Sequence, residues 1–199
     1  MKAPNNNHKA TSGSSGKLRA GVLLLLGLLL AASRGAGGEA LVITEPQVKA
    51  LCLLNFAKYT DWPADAFVWT NSPIVIGVVG GDKFADTLKL AVAGRSVNGR
   101  GIEVLPVAGE EDYGKCQVLF IAASEKKRAG EILDQVKGKS ILTVGESDQF
   151  TQQGGTINFV KKEGKVHFTV DLDGARKARL QFSSKLLSLA DVVTGKSKE

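Results

Sequence analysis

The side chains of this sequence that could take part in covalent chemistry are few and far apart. Among its 199 residues are two cysteines, Cys52 and Cys116, and two histidines, His8 and His167. A nucleophilic Cys116–His167 pair would require the two side chains to meet in space. Because Cys116 stands at the entrance of a predicted buried strand, an inert core thiol is the simpler interpretation. One histidine outside the N-terminal leader cannot build a histidine-rich metal centre, and no Asp-rich loop has calcium-binding spacing.

Two short motifs resemble parts of enzymes without completing them. Gly77-Val-Val-Gly-Gly-Asp82 lies between a predicted strand and a predicted helix, where nucleotide-binding turns occur. Its spacing fits neither Gly-x-Gly-x-x-Gly nor the P-loop, so we interpret it as a plain turn. Ser183-Ser184-Lys185 lacks the Ser-x-x-Lys spacing of a Ser–Lys hydrolase, and a helix cap beside a surface charge explains it better. We therefore expect no enzymatic activity, no catalytic residue, no metal and no bound cofactor.

Aromatic residues are concentrated in one short stretch, which holds Phe56, Tyr59, Trp62, Phe67 and Trp69. Such a cluster is either part of a core or an exposed contact for a partner protein, where Tyr and Trp are enriched. Phe56 falls in a predicted helix and is expected in the core. Trp62 and Trp69 fall in loop-like sequence, so we expect them to be partly exposed, with Trp62 available to a partner.

Strands and helices alternate along most of the chain. Thr44-Glu-Pro46 begins a helix that runs to Tyr59 and ends before Pro63. Continuous β-branched or apolar runs predict strands covered on both faces, and the stretches between them predict helices. The predicted strands are 74–79, 102–107, 117–122 and 141–144, and the helices between them are 83–92 and 125–136, the latter capped by Ser124.

The pattern then changes to strict alternation. Residues 156–160 and 166–170 predict an antiparallel β-hairpin, and helices are predicted over 172–178 and 184–193. The expected fold is a three-layer α/β/α sandwich with a mixed, mostly parallel sheet that ends in this hairpin. It forms one domain, 41–193, followed by a polar tail, 194–199.

The N-terminal 38 residues differ from the rest in composition. They hold five basic residues and no acidic one, although the whole chain has 26 basic and 20 acidic residues. The remainder, with 21 basic against 20 acidic, gives no reason to expect a nucleic-acid partner.

Lys17 and Arg19 precede the apolar run 21–32, and small residues follow, which is typical of a secretory signal peptide cleaved near 38–40; an uncleaved anchor is the alternative. Export would permit a Cys52–Cys116 disulfide, while two buried thiols are the other interpretation.

The order of motifs along the chain resembles the YfiR family of periplasmic proteins. The resemblance begins at Asn55-Phe-Ala-Lys-Tyr-Thr-Asp-Trp-Pro63 and continues in order to about residue 193. The further matching segments are 74–80 with Phe84, Val97-Asn-Gly-Arg100, Cys116-Gln-Val-Leu-Phe-Ile121, Ile141-Leu-Thr-Val-Gly145, Phe150, Gly154-Gly-Thr-Ile-Asn-Phe159, 166–170 and Leu180-Gln-Phe-Ser-Ser-Lys-Leu-Leu187.

The resemblance implies a non-enzymatic periplasmic regulator with an α/β/α sandwich fold. It also implies binding and inhibition of a membrane diguanylate cyclase through that enzyme's periplasmic domain, with effects on cyclic-di-GMP signalling and biofilm formation. An OmpA-like outer-membrane lipoprotein would be a competing partner, and the chain would be a homodimer. Many relatives carry a cysteine where this chain has Gly77, so the resemblance leaves Cys116 without its usual partner.

The surface that would bind the partner is expected in the C-terminal region 180–189, with Lys185 at its rim and Leu186 and Leu187 as contacts. The alternative for these leucines is the inner face of a terminal helix. Two other functions stay open: an envelope protein that binds a small ligand, and, as the weakest hypothesis, an exported enzyme using Cys116 or Ser183.

Overall fold

Apolar strands alternating with short helices make up the part of the chain that the computed structural model describes, residues 43–193. The predicted signal peptide (1–38) and polar tail (194–199) lie outside these residues. The helices are α1 (Glu45–Lys58), α2 (Asp82–Val92), α3 (Ala129–Gln135), α4 (Leu172–Lys177) and α5 (Ser184–Leu187), and 3-10 turns cover Ala64–Ala66, Glu110–Lys115 and Ala123–Glu125.

The strands form one large sheet and one small ladder. They are β1 (Thr60–Asp61), β2 (Ile74–Val79), β3 (Ser96–Val97), β4 (Arg100–Val107), β5 (Val118–Ile121), β6 (Leu142–Gly145), β7 (Ile157–Lys162), β8 (Lys165–Asp171), β9 (Gln181–Phe182) and β10 (Asp191–Val193). The order in the large sheet is β10-β8-β7-β6-β5-β2-β4-β3, while β1 and β9 pair with each other. All neighbours in the large sheet are parallel except β7–β8 and β3–β4.

Local sequence explains the main elements. The β2 run of Val and Ile favours a strand, and it is buried on both faces because helices cover the sheet on either side. At the start of α1 the Thr44 backbone N–H donates to Gln47 Oε1 at 2.8 Å, and a proline in the first turn fits because no hydrogen bond is lost there. Glu163 and Gly164 both have positive φ, which is the backbone of a tight two-residue hairpin turn between β7 and β8.

The sheet separates two apolar cores. Helices α1 and α2, together with side chains of α4 and α5, bury an aromatic-rich core on one face. Helix α3 buries a smaller core on the other face, which includes Cys116 and Phe150. The α/β fold with a mixed, mostly parallel sheet and an antiparallel hairpin is therefore confirmed. None of the helices within residues 43–193 is long and apolar enough to cross a membrane.

Two sequence-based boundaries were wrong. The helix predicted over 125–136 begins only at Ala129, because a 3-10 turn comes first and Ser124 Oγ donates to the Gly80 carbonyl at 2.7 Å instead of capping a helix. The helix predicted over 184–193 ends at Leu187, and Asp191–Val193 pair with β8 as a parallel strand. Pairing with a distant strand overrides local helix propensity here.

Candidate partner-binding surface

A short antiparallel ladder joins two segments that are far apart in the sequence. In this β1–β9 ladder Thr60 is opposite Phe182 and Asp61 opposite Gln181, and the Ser183 N–H donates to the Tyr59 carbonyl at 3.0 Å. The ladder therefore ties the loop of residues 62–73, the aromatic loop, to residues 180–189, the C-terminal segment. Both segments contain residues that the sequence predicts to contact a partner.

Arg179 strengthens this connection with its side chain. Its guanidinium donates to Asp65 Oδ2 at 2.9 Å, in the aromatic loop, and to Ser140 Oγ at 3.0 Å, just before β6. Its φ is +58°, the left-handed conformation that closes helix α4, where Leu180 N–H bonds to the Ala175 carbonyl. Glycine is the usual residue at such a position. The arginine thus keeps a less favourable backbone conformation while its side chain bridges to two other segments.

Two half-buried polar side chains hold the aromatic loop in place. Gln117 Nε2 donates to the Ala66 carbonyl, and Gln117 Oε1 accepts from the Val75 N–H, both at 2.9 Å. Arg100 Nη1 donates to the Ser72 carbonyl at 2.7 Å, and its guanidinium lies 3.8 Å from the centroid of the Phe67 ring. Hydrogen bonds and a cation–π contact therefore fix the path of this loop.

The tip of the aromatic loop presents apolar side chains to solvent. Val68 is 82% exposed and Trp69 is 72% exposed. The Trp69 N–H donates to Ser72 Oγ at 3.0 Å, so the backbone beside these side chains is held although the side chains contact little. The sequence predicted partial exposure for Trp69, but nothing local indicated how the loop would be held.

The residues predicted as partner contacts have different exposures. Trp62 is half-buried and packs edge-on against Phe67, with ring centroids 6.3 Å apart. Lys185 is exposed and Leu187 is half-buried. Leu186 is 2% exposed and belongs to the core, so it is not available to a partner. The inner-face interpretation therefore describes Leu186, and the surface consists of the residues around it.

The structure does not bring Cys52 and Cys116 together. Cys52 packs against the core on the α1 face of the sheet, while Cys116 is buried in the core on the α3 face, and both thiols are free. Burial raises the pKa of Cys52, and burial together with the Asp112 charge raises the pKa of Cys116 to about 11. Both cysteines are therefore protonated, weak nucleophiles at neutral pH.

The Cys116 thiol lies beside Gly77 of the neighbouring strand β2, on the same face of the sheet. A Cβ atom at position 77 would lie 2.5 Å from the Cys116 sulfur, so the absence of a side chain at Gly77 makes the room that the thiol occupies. His167 does not reach Cys116, since it is exposed on β8, which β7 and β6 separate from β5. No nucleophile–base pair arises from these residues.

A small ligand would be expected at the carboxyl ends of β2 and β5. Helices α2 and α3 leave these two strands toward opposite faces, which is where α/β sheets commonly bind ligands. Here the Ala123 N–H donates to Glu146 Oε1 at 2.9 Å, and Lys49 Nζ meets Glu146 Oε2 at 2.5 Å. The chain's own carboxylate therefore accepts the backbone N–H that follows β5. Within residues 43–193 no three His, Cys, Asp or Glu side chains are grouped to hold a metal ion.

The family comparison identifies the family to which this chain belongs. The YfiR/HmsC-like family model (DUF4154) matches residues 46–191, well over half of the chain. The chain belongs to the YfiR/HmsC-like family. This family is known for periplasmic regulators, which favours a non-enzymatic role. No curated protein sequence matches the chain significantly.

Solved structures add distant similarities to this family member. One is a conserved domain protein from Vibrio cholerae O1 biovar El Tor, with 12% identity, a TM-score of 0.44, and coverage of 59% of this chain and 54% of that one. Another is the ABC domain in complex with L-Trp from Streptococcus pneumoniae, with 9% identity, a TM-score of 0.47, and coverage of 60% and 55%. The match thus spans about half the length of each of these chains.

The structure explains two motifs on which the YfiR-family resemblance rests. Arg100, which ends the Val97–Arg100 motif, is one of the two residues that hold the aromatic loop. The Phe150 ring lies against the backbone of Gly145 and Gly155, where any Cβ would collide with it. Gln117 and Arg179 were missed by sequence reasoning, because their roles depend on contacts with residues far away in the chain.

Proposed function

We propose that this chain is a periplasmic regulator that inhibits a membrane-bound diguanylate cyclase by binding its periplasmic domain. The observation that carries the proposal is the YfiR/HmsC-like match over residues 46–191. The chain acts after removal of its signal peptide, as a homodimer, and it influences cyclic-di-GMP levels and biofilm formation. An OmpA-like lipoprotein of the outer membrane competes for the same surface and releases the cyclase.

Inhibition of this kind needs no covalent chemistry. A protein that binds one arrangement of a receptor domain more tightly than another shifts the population toward that arrangement. The shift cannot exceed the difference in affinity between the two arrangements. A scaffold whose two thiols have raised pKa values and whose surface is partly apolar is suited to this role and not to nucleophilic catalysis.

Binding is assigned to the surface formed by the aromatic loop and the C-terminal segment. Its exposed and half-buried members supply apolar area, and Lys185 supplies charge at the rim. Rim charges mainly affect the association rate and its salt dependence. The two segments are held together by the β1–β9 ladder and Arg179, so a partner meets one preformed surface.

The direct test combines a deletion with a binding measurement. Deleting the gene should raise cellular cyclic-di-GMP, and restoring the full chain should lower it again. The purified protein should bind the periplasmic domain of the cyclase without turnover of any substrate. Unchanged cyclic-di-GMP after deletion, together with no binding to that domain, would contradict the proposal.

Lys185→Glu should weaken this binding by about tenfold, because it reverses a rim charge on the proposed surface. Lys126→Glu is the matched control, since Lys126 is equally exposed but lies beside α3, away from the aromatic loop and the C-terminal segment. Titration of both variants by isothermal calorimetry at two salt concentrations checks this. Equal losses of affinity for both variants would mean that binding depends on the net charge of the protein and not on the proposed surface.

A further inference from the structure

The tip of the aromatic loop combines high exposure with a fixed backbone. Exposed apolar side chains are common on proteins, but they usually stand singly. Val68 and Trp69 are adjacent, and each has most of its surface in solvent. The loop that carries them is held from outside by Gln117 and Arg100, and within the loop Ser72 Oγ accepts the Trp69 N–H.

This arrangement lowers the cost of binding. A tryptophan has few rotatable bonds and a large apolar surface, and such residues dominate the energy of protein interfaces. When the backbone around them is already ordered, little further conformational entropy is lost on association. The hydrogen bonds of the aromatic loop therefore prepare Trp69 to enter a recess on another molecule.

The positive charge of Arg100, beside the tip of the aromatic loop, indicates which chemical groups the partner surface presents. Among residues 43–193, Arg100 makes no ion pair, and its hydrogen bonds go to the carbonyls of Trp69 and Ser72. A guanidinium has five donors and binds carboxylates strongly when both are shielded from water. The complementary surface thus combines an apolar recess for the Trp69 ring with a carboxylate for Arg100.

Other occupants fit this pattern less well. An anionic membrane attracts basic surfaces, but beyond residue 38 the chain has 21 basic and 20 acidic residues. In a two-fold contact of the tip with itself, a second copy would bring another Arg100 to the tip, and the carboxylate of its own aromatic loop, Asp65, is already paired with Arg179. A different protein with an acidic rim meets both requirements.

We propose that Val68 and Trp69 form the anchor that inserts into an apolar recess of the partner protein, with Arg100 meeting a carboxylate at the edge of that recess. The inference rests on the proposed function as a protein-binding regulator, and it names the chemistry that the partner domain presents.

Photo-crosslinking in the native envelope tests the anchor. The photoreactive residue p-benzoylphenylalanine replaces Trp69 in the full chain, and Leu90 in the control, since Leu90 is 80% exposed on helix α2. Position 69 should give a protein adduct that position 90 lacks. Mass spectrometry should locate it in a partner peptide with apolar residues beside Asp or Glu. Arg100→Gln should reduce its yield by about fivefold or more, and Arg100→Lys by less, because lysine retains the charge.

The other outcomes overturn the proposal. These are adducts with lipid only, adducts with a second copy only, the same adducts from both positions, and no adduct from position 69. Thermal melting of each Arg100 variant is the folding control, and its melting temperature must match that of the wild type. If it does not, the Arg100 variants are replaced by a second comparison, in which Trp69→Ala and Leu90→Ala are measured for binding to the captured protein. Trp69→Ala should then weaken binding by about tenfold or more, and Leu90→Ala should not.

The anchor and the proposed function can fail separately. If the adduct is a protein other than a diguanylate cyclase or an OmpA-like lipoprotein, the anchor is supported and the proposed partners are wrong. If the purified cyclase domain binds the wild type and Trp69→Ala equally well, the anchor is wrong and the proposed function stands.

Discussion

Aromatic side chains serve two different purposes in this molecule. Between the sheet and the helices α1 and α2, five phenylalanines pack ring against ring, with centroid distances from 4.7 to 6.3 Å; they are Phe56, Phe84, Phe120, Phe159 and Phe168. In the aromatic loop, Trp62 and Phe67 form one such pair, but Trp69 projects into solvent. The same residue class is therefore held by burial in one region and by polar contacts in the other.

The two regions differ in which interactions determine the position of their aromatic side chains. A buried ring is placed by the atoms around it, so its location and its contribution to stability are linked. The aromatic loop is placed by Gln117 and Arg100, so its exposed tip can change without loss of the fold. A surface positioned in this way can be adapted to a partner independently of the core.

The largest expected effect separates the two regions by stability. Phe56→Ala should lower the free energy of unfolding by about 3–5 kcal/mol, because Phe56 is buried against two other rings and leaves a cavity. Trp69→Ala should change it by less than about 0.5 kcal/mol, since most of the indole is already in water. Urea unfolding of both variants measures these changes. A large decrease in the free energy of unfolding for Trp69→Ala would contradict the distinction between the buried core and the exposed loop tip.

An intermediate effect tests how closely the core opposite α1 is packed. Gly77→Ala should cost about 1–3 kcal/mol, because the added methyl group would lie 2.5 Å from the Cys116 sulfur. Gly101→Ala is the control within the neighbouring strand β4, where no atom lies within 4 Å of the added methyl group. Thermal unfolding of the pair should show a lower melting temperature for Gly77→Ala alone; equal melting temperatures would mean that the thiol moves aside at little cost.

The smallest expected effect concerns the aromatic loop itself. Gln117→Ala removes the acceptor of the Val75 N–H and the donor to the Ala66 carbonyl, so stability should fall by about 1 kcal/mol. Hydrogen exchange should speed up over residues 63–73 and stay unchanged in α2. Gln152→Ala, at an exposed glutamine, should alter neither quantity. Unchanged exchange in the Gln117 variant would show that Gln117 does not position the loop.

Elements encoded by neighbouring residues could be predicted from the sequence. Strand β2 was predicted with the bounds that the structure has, because six consecutive apolar or glycine residues leave little alternative. The β7–β8 hairpin was also found, since strict alternation marks a strand with unequal faces. Strands β1 and β9 have two residues each and no local signature, so they were missed. Strand β10 was predicted as helix because its only support is β8.

The candidate surface was predictable only in part. Its aromatic residues could be identified from their spacing, and the exposure expected of Trp69 was confirmed. Leu186 was expected as a partner contact and lies in the core, because apolar residues in a short terminal helix do not reveal which of them faces inward. Arg100 and Arg179 look like ordinary surface charges until their distant hydrogen-bond acceptors are known.

The β1–β9 ladder determines when, during synthesis of the chain, the candidate surface can be completed. During synthesis the N-terminal part of a chain is available first, and contacts between distant segments form last. Residues 60–61 must wait for residues 181–182 before they can pair, and Asp65 must wait for Arg179. A chain that is incomplete, or clipped before residue 179, can contain most of the sheet and still lack the closed surface. Under the proposed function, completion of the chain is thus itself a condition for recognition by the partner.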